Sequence, residues 1–191
     1  DRILFDAEWA GPAALQSVMR DLGKRDLYFL LTRLLGRQDI RNDWLYERCC
    51  DVQEKPNGML DLWAREHRKS TIITFALNIQ DILNDQEITI GIFAFNKAIA
   101  KKFLYQIKEE LQTNQKLKDL YPEVLFQNPE KEAPLWSLDN GLIVKRKSNP
   151  KEPTIGGYGL TDGLPTGMHF HIRDYDDIID EKNVTSPEMI M

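Results

Sequence analysis

Apolar residues recur along the middle of this chain in two alternating periods, and that alternation restricts the fold more than any other feature. From Lys69 to Leu83, the residues Ile72, Ile73, Phe75, Ala76, Ile79 and Leu83 keep helical spacing, whereas Glu87 to Phe95 (EITIGIFAF) is rich in β-branched residues and reads as a strand. Lys97 to Leu111 returns to an amphipathic helical pattern, and Met59-Leu60-Asp61-Leu62-Trp63, ahead of the first helix, is short and apolar enough for another strand. The pattern predicts a βαβα unit and an α/β fold with a mostly parallel sheet flanked by helices. In such sheets ligands sit outside the carboxyl ends of the strands, so a site is expected first in the loop between Trp63 and Lys69.

Upstream, residues 1 to 25 are polar and mixed, broken by Trp9, Gly11 and Pro12, and predict a short helical arm and a turn. A helix is expected from Asp26 through Leu27, Phe29, Leu30, Leu34 and Leu35, ending at Gly36, and a second from Asp43, as N-cap, through Trp44, Leu45, Cys49 and Val52. Pro56, Asn57 and Gly58 mark a turn, so residues 1–55 are expected to form a helical arm packed on a core of residues 56–191. Downstream the sequence predicts a short helix at Gln115 to Leu120 and strands at Leu142-Ile143-Val144, Thr154 to Leu160 and His169 to Tyr175, the last two separated by a turn at Gly163 and Pro165. With 191 residues, 42% of them hydrophobic, the chain suits one domain with a real core.

Charge narrows the classes of function. Lys and Arg number 25 against 30 Asp and Glu, a net charge of -5, which excludes a bulk polycation and confines any nucleic-acid contact to a local patch. Cys49 and Cys50 are adjacent and form neither a zinc pattern nor a disulfide framework, which suits a reducing cytoplasm. No apolar run approaches the roughly 18 residues of a membrane span. The chain begins at Asp1 and stops at Met191 after a charged segment, as expected of an excised domain.

Trp63-Ala64-Arg65-Glu66-His67-Arg68-Lys69-Ser70-Thr71 ends a predicted strand and opens a helix with Lys followed by two hydroxyl residues. That is phosphate-loop chemistry: N–H groups at a helix start hold phosphates, the ammonium neutralises them, and a hydroxyl oxygen coordinates Mg²⁺. The strict G-x-x-x-x-G-K-[ST] pattern is not met, since Trp63 and Arg68 stand where it has glycine. A solvated basic turn capped by Ser70 is the alternative. The second element is His169-Phe170-His171-Ile172-Arg173-Asp174-Tyr175-Asp176-Asp177. A nucleotide hydrolase needs a carboxylate at a strand end for the Mg²⁺ shell and a neighbouring one to polarise water, and Asp176 and Asp177 supply this pair. An acidic surface turn continued by Asp180 and Glu181 is the competing reading, and Arg173 and Asp174 interrupt what would be a buried strand.

Taken together, these segments resemble the N-terminal ATPase domain of bacteriophage terminase large subunits, the motors that package DNA into procapsids. The resemblance runs from about Asp26 onward and is carried by Leu62 to Thr74, by Thr89-Ile90-Gly91-Ile92-Phe93, by Gly159-Leu160-Thr161-Asp162-Gly163 with Gly167 and His169, and by Tyr175-Asp176-Asp177. It implies a P-loop NTPase-like (ASCE-type) sheet and an ATP hydrolase dependent on Mg²⁺. The phosphate loop would comprise Arg65, Glu66, His67, Arg68, Lys69, Ser70 and Thr71. Lys69 would bind the β and γ phosphates, Ser70 or Thr71 and Asp176 would hold Mg²⁺, Arg65 would sense the γ-phosphate, and Asp177 would take the catalytic acid's place. Implied partners are double-stranded DNA, a portal protein, a small terminase subunit and further copies of the chain during packaging, with a monomer in isolation and no membrane. The setting would be the cytoplasm of an infected bacterium, with the coupling motif and nuclease domain beyond Met191. An impaired DNA-binding or assembly module of the same fold and a helicase-like ATPase are the alternatives. Gathering Asp176, Asp177 and Asp180 near one strand end favours the metal-holding role over a nuclease site.

Other candidates carry plainer readings. His169 and His171 alternate on a predicted strand and suit a structural pair better than a metal site lacking a third ligand. Lys145-Arg146-Lys147 with Lys151 is the densest basic run, equally suited to DNA backbone and to solvent. Lys97, Lys101, Lys102 and Lys108 read as a solvated face. Phe29, Trp44 and Tyr46 offer a base-stacking surface or, at helical spacing, core. Cys49 and Cys50 read as small buried hydrophobes.

Overall fold

A computed structural model describes residues 2–54, 58–162 and 166–179. The predicted turns at Pro56-Asn57 and Gly163-Pro165, and Asp180, lie outside them. Strands β1 (Ile90–Ala94), β2 (Trp136–Ser137), β3 (Gly141–Leu142), β4 (Ile155–Gly159) and β5 (Ile172–Tyr175) form one open sheet in the order β2-β3-β4-β1-β5. β1 lies between β4 and β5 and is parallel to both, aligning Ile90 with Ile155 and Ile172, while β3 pairs antiparallel with β4 and β2 antiparallel with β3. The fold is therefore α/β, as expected, but its sheet is mixed: a parallel trio extended by a short antiparallel hairpin. Two-residue strands joined by a tight turn can only return on themselves, whereas parallel neighbours need a crossover.

Segment 59–63 forms no strand. A strand exists only where a neighbour takes its N–H and C=O groups, and no strand of the sheet pairs with this segment. Leu60 and Leu62 consequently stand in water, at 80% and 83% exposure, while Trp63 is half-buried against the core. Helix formation resumes at Lys69 and continues without a break through a π-helical stretch, Thr71–Leu77, into α5 (Asn78–Asn84).

The face of the sheet bearing Ile90, Ile92, Ile155 and Ile172 packs against this helical rod and α6 (Lys97–Thr113). α6 buries Ala100, Leu104, Ile107 and Leu111, the i, i+4, i+7, i+11 stripe of an amphipathic helix, and Asn96 caps it by accepting the amide of Ile99 at 2.9 Å. Its lysines lie off that stripe, with Lys101 paired to Asp139 and Lys108 hydrogen-bonded to Gln112 at 3.0 Å. The opposite face carries an aromatic cluster instead. Phe93 stacks on Tyr175 at 5.1 Å and meets Tyr158 and Phe170 at 5.5 and 6.0 Å.

The N-terminal region is more regular than an arm and a turn: α1 (Arg2–Ala10) and α2 (Pro12–Arg25) are divided by Gly11 at φ +106°, with Pro12 opening the second helix. Asp26 caps α3 (Leu27–Phe29) by accepting the amide of Phe29 at 2.8 Å, a π-helical turn over Leu30–Leu34 follows, and Gly36 at φ +68° ends it as expected. α4 (Asp43–Glu54) is capped one residue earlier than predicted, by the Asn42 side chain accepting from the Leu45 amide at 2.8 Å. Leu45, Cys49 and Val52 form its buried stripe. Phe29 is core, but Trp44 and Tyr46 flank the α4 stripe and stay 41% and 49% exposed. α7 (Gln115–Leu120) forms over the residues predicted for it, and the short α8 (Pro129–Glu132) precedes the hairpin.

Candidate functional site

The parallel trio ends together. Phe95 donates its amide to the Asp177 carbonyl at 3.0 Å, Asp176 donates to the Phe93 carbonyl at 2.9 Å, and Leu160 donates to the Ala94 carbonyl at 3.0 Å. These bonds extend pairing past the strand ends and fix the backbone of Asp176, whose side chain follows Ile172 and Asp174 on the helix-facing side because strand residues alternate. Against that end stands the first turn of the helical rod. Lys69 Nζ lies 2.7 Å from Asp176 Oδ1, and the Thr74 hydroxyl donates to Asp176 Oδ2 at 2.8 Å. The Ser70 side chain, next to Lys69, lies close enough to this carboxylate to stabilise its charge. Residues 69 and 176, separated by half the chain, thus meet on one side of the sheet.

Electrostatics distinguish the two inward acids. Burial opposes ionisation of Asp176, but hydrogen bonds from Lys69, Ser70 and Thr74 and the lysine's charge outweigh it and hold its pKa below the usual carboxylate value. Asp174, one step back along β5, is pushed up to about 6 chiefly by burial, with the nearby negative charge of Asp176 adding to the effect. Its Oδ2 accepts from Asn78 Nδ2 at 3.1 Å. What sequence reasoning took as a polar interruption of a strand is an inward-facing acid.

The loop before Lys69 has its own supports. Arg68, in the position where the strict phosphate-loop pattern has glycine, adopts φ +61°, and Glu66 adopts φ +68°, a region that disfavours a Cβ by roughly 1–2 kcal/mol. The Arg68 guanidinium reaches Asp39 at 3.1 Å, and His67 Nδ1 lies 2.9 Å from the Arg65 carbonyl. Trp44 meets the Trp63 and His67 rings edge-on at 5.6 and 5.2 Å. Arg65, Glu66 and His67 are exposed on the turn, and Thr71 is half-buried one residue beyond Ser70. Asp177 is also exposed, at φ +49°, its amide donating to Asp176 Oδ1 at 3.1 Å. Among the described residues, the Arg65 guanidinium and the Asp177 carboxylate make no bond to Lys69 or Asp176. The structure therefore brings together Lys69, Ser70 and Asp176, adds Thr74, Asn78 and Asp174, and leaves Arg65 and Asp177 at the rim.

The donor set fits a hard cation that shares its shell with phosphate oxygens. A buried, ionised carboxylate and an adjacent hydroxyl are oxygen ligands of the kind Mg²⁺ takes in small number, the remainder coming from substrate and water. No cluster of three or more His, Cys, Asp or Glu side chains suited to a metal by themselves occurs among the described residues. His171 instead pairs with Thr89, its Nδ1 lying 2.9 Å from the hydroxyl, while His169 donates its amide to Glu152 at 2.6 Å.

The basic run is largely engaged with the protein. Lys145 donates to the Pro122 carbonyl at 2.8 Å and Arg146 to the Glu152 carbonyl at 2.9 Å, while the amides of Lys147 and Ser148 grip Glu87 at 2.7 and 3.0 Å. No helix among the described residues is long and apolar enough to cross a membrane. Comparisons with protein-family models, with curated proteins and with solved structures found no match to this chain.

Proposed function

We propose that the chain binds and hydrolyses a nucleoside triphosphate with Mg²⁺, and that it serves as the ATPase motor domain of a phage terminase large subunit, moving double-stranded DNA. One observation carries the nucleotide reading: the 2.7 Å approach of Lys69 to a buried, ionised Asp176 where a helix start faces the carboxyl ends of parallel strands. The left-handed Arg68 lends support, since a left-handed residue beside right-handed ones turns successive backbone amides toward one point, as an anion-binding nest does. The motor reading, with its DNA, portal and small-subunit partners, rests on the sequence resemblance.

In this reading Lys69 exchanges Asp176 for the β and γ phosphates. Ser70 and Asp176 would hold Mg²⁺, which would supply charge stabilisation of the transferring phosphoryl group. Arg65, at the rim, comes to the γ-phosphate as the loop closes over the ligand, while Asp177, fixed at the strand end beside Asp176, polarises the attacking water.

A second reading, the impaired binding or assembly module, is favoured by segment 59–63, which lies exposed where a phosphate loop is ordinarily anchored by a strand. Calorimetric titration with ATP, with and without Mg²⁺, separates the two. The hydrolase reading expects binding strengthened by Mg²⁺ and followed by phosphate release. Absence of metal-dependent binding refutes it.

A further inference from the structure

Thr74 and Asn78 are buried, at 1% and 3% exposure, in a stretch whose neighbours Ile72, Phe75, Ala76 and Ile79 form apolar core. A polar group so placed is costly unless paired, and both side chains are paired to the strand that carries the acids. Thr74 Oγ1 donates to Asp176 Oδ2 at 2.8 Å; Asn78 Nδ2 donates to Asp174 Oδ2 at 3.1 Å and to the Thr74 carbonyl at 2.8 Å. The spacing explains why two rungs form. Residues four apart on the rod share a face, as do residues two apart on β5, so Thr74 and Asn78 meet Asp176 and Asp174 in order.

We infer that Thr74 and Asn78 are positioning residues, a two-rung ladder that fixes one oxygen of Asp176 and presents the other to Lys69 and, in its place, to the cation. The inference rests on the nucleotide reading above. With Oδ2 held by Thr74, Oδ1 alone changes partner when Lys69 turns to phosphate, and the carboxylate needs no reorientation. Asn78 keeps Thr74 in step by bonding its carbonyl and anchoring the rod to Asp174.

The test is the gain in ATP affinity that Mg²⁺ produces, measured by calorimetry on the wild-type chain and on Thr74→Val, Thr74→Ser and Asn78→Ala, with thermal melts to establish folding. Outer-shell partners of this kind govern metal affinity by about 10–100-fold, so Thr74→Val is expected to lose about tenfold of the Mg²⁺ gain while metal-free ATP affinity stays within about twofold of wild type. Thr74→Ser, which keeps the hydroxyl, restores the gain. Asn78→Ala loses a smaller part, about threefold, and carries the test alone if Thr74→Val does not fold. A Mg²⁺ gain equal to wild type in the folded variants overturns the ladder while leaving the nucleotide reading intact. Failure of the wild-type chain to bind ATP overturns that reading and the ladder with it.

Discussion

Asp176 stands at the end of a strand held by β1 along one edge and by the helical rod over one face, whereas Lys69 stands at the foot of a loop supported mainly at its edge. On the strand side the amide of Asp176 is bonded to Phe93, its carboxylate to Thr74, Lys69 and the Asp177 amide, and its neighbour Asp174 to Asn78. On the loop side the supports are the Arg68–Asp39 ion pair, with both side chains about half exposed, and the edge-on contacts of Trp44. Surface ion pairs contribute about 0–1 kcal/mol, so the loop is the cheaper part to move. The difference teaches that ligand binding would rearrange the loop around a strand end already in place.

Substitutions on the two sides should then separate in kind. The largest effect belongs to Lys69→Ala: ATP affinity, read by calorimetry, falls by about a hundredfold or more because charge-assisted bonds to phosphate are lost. Unchanged affinity would remove Lys69 from the site. Asp176→Asn comes next. It should abolish most of the Mg²⁺-dependent part of ATP affinity, about 10–100-fold, while metal-free binding persists; a metal gain equal to wild type would leave Asp176 as a structural acid only.

The two acids of β5 should diverge with pH. Asp174 has its pKa raised from 3.8 to about 6, so the folded state holds that proton more tightly and its contribution to stability declines as pH rises from about 4 to 6. Asp176, lowered, contributes stability above the ordinary carboxylate pKa and loses it as pH falls through the folded value. Asp174→Asn is therefore expected to raise stability at pH 7 by on the order of 1 kcal/mol and to flatten the stability profile between about pH 4 and 6. Denaturant melts across that window check it, and a profile identical to wild type would contradict the buried-acid account. The smallest effect is expected at Arg68→Gly. Relief of the left-handed Cβ opposes the lost Asp39 pair and the added chain entropy, leaving stability within about 0.5 kcal/mol of wild type. A loss above about 2 kcal/mol in a melt would show that the loop is as firmly built as the strand end.

Local patterns announced much of this architecture. The stripe from Ala100 to Leu111, the Asn114-to-Leu120 turn of helix, and the β-branched run at Ile90 declare themselves because burial on one face writes a period into the sequence. Lys69, Ser70 and Asp176 were legible as a set because their chemistry is specific. The hairpin of β2 and β3 was only half legible: strand direction depends on which neighbour is free, and that is a property of the whole sheet. The strand expected at Met59 to Trp63 fails in the same way, since a short apolar run does not say whether a sheet edge will take its backbone groups. Thr74 and Asn78 left a readable trace, two polar residues four apart on an otherwise apolar helical face. Their significance needed Asp174, which as sequence only broke an apolar run. The π-helical stretch left none.

The most direct test of the account is a structure of the chain with a non-hydrolysable ATP analogue and Mg²⁺. The account predicts the phosphates at the amino end of the helix opening at Lys69, with Lys69 Nζ moved from Asp176 Oδ1 onto phosphate oxygen and Asp176 Oδ2 still bonded to Thr74. A nucleotide bound elsewhere, or a Lys69–Asp176 contact still at 2.7 Å with the ligand present, would contradict it.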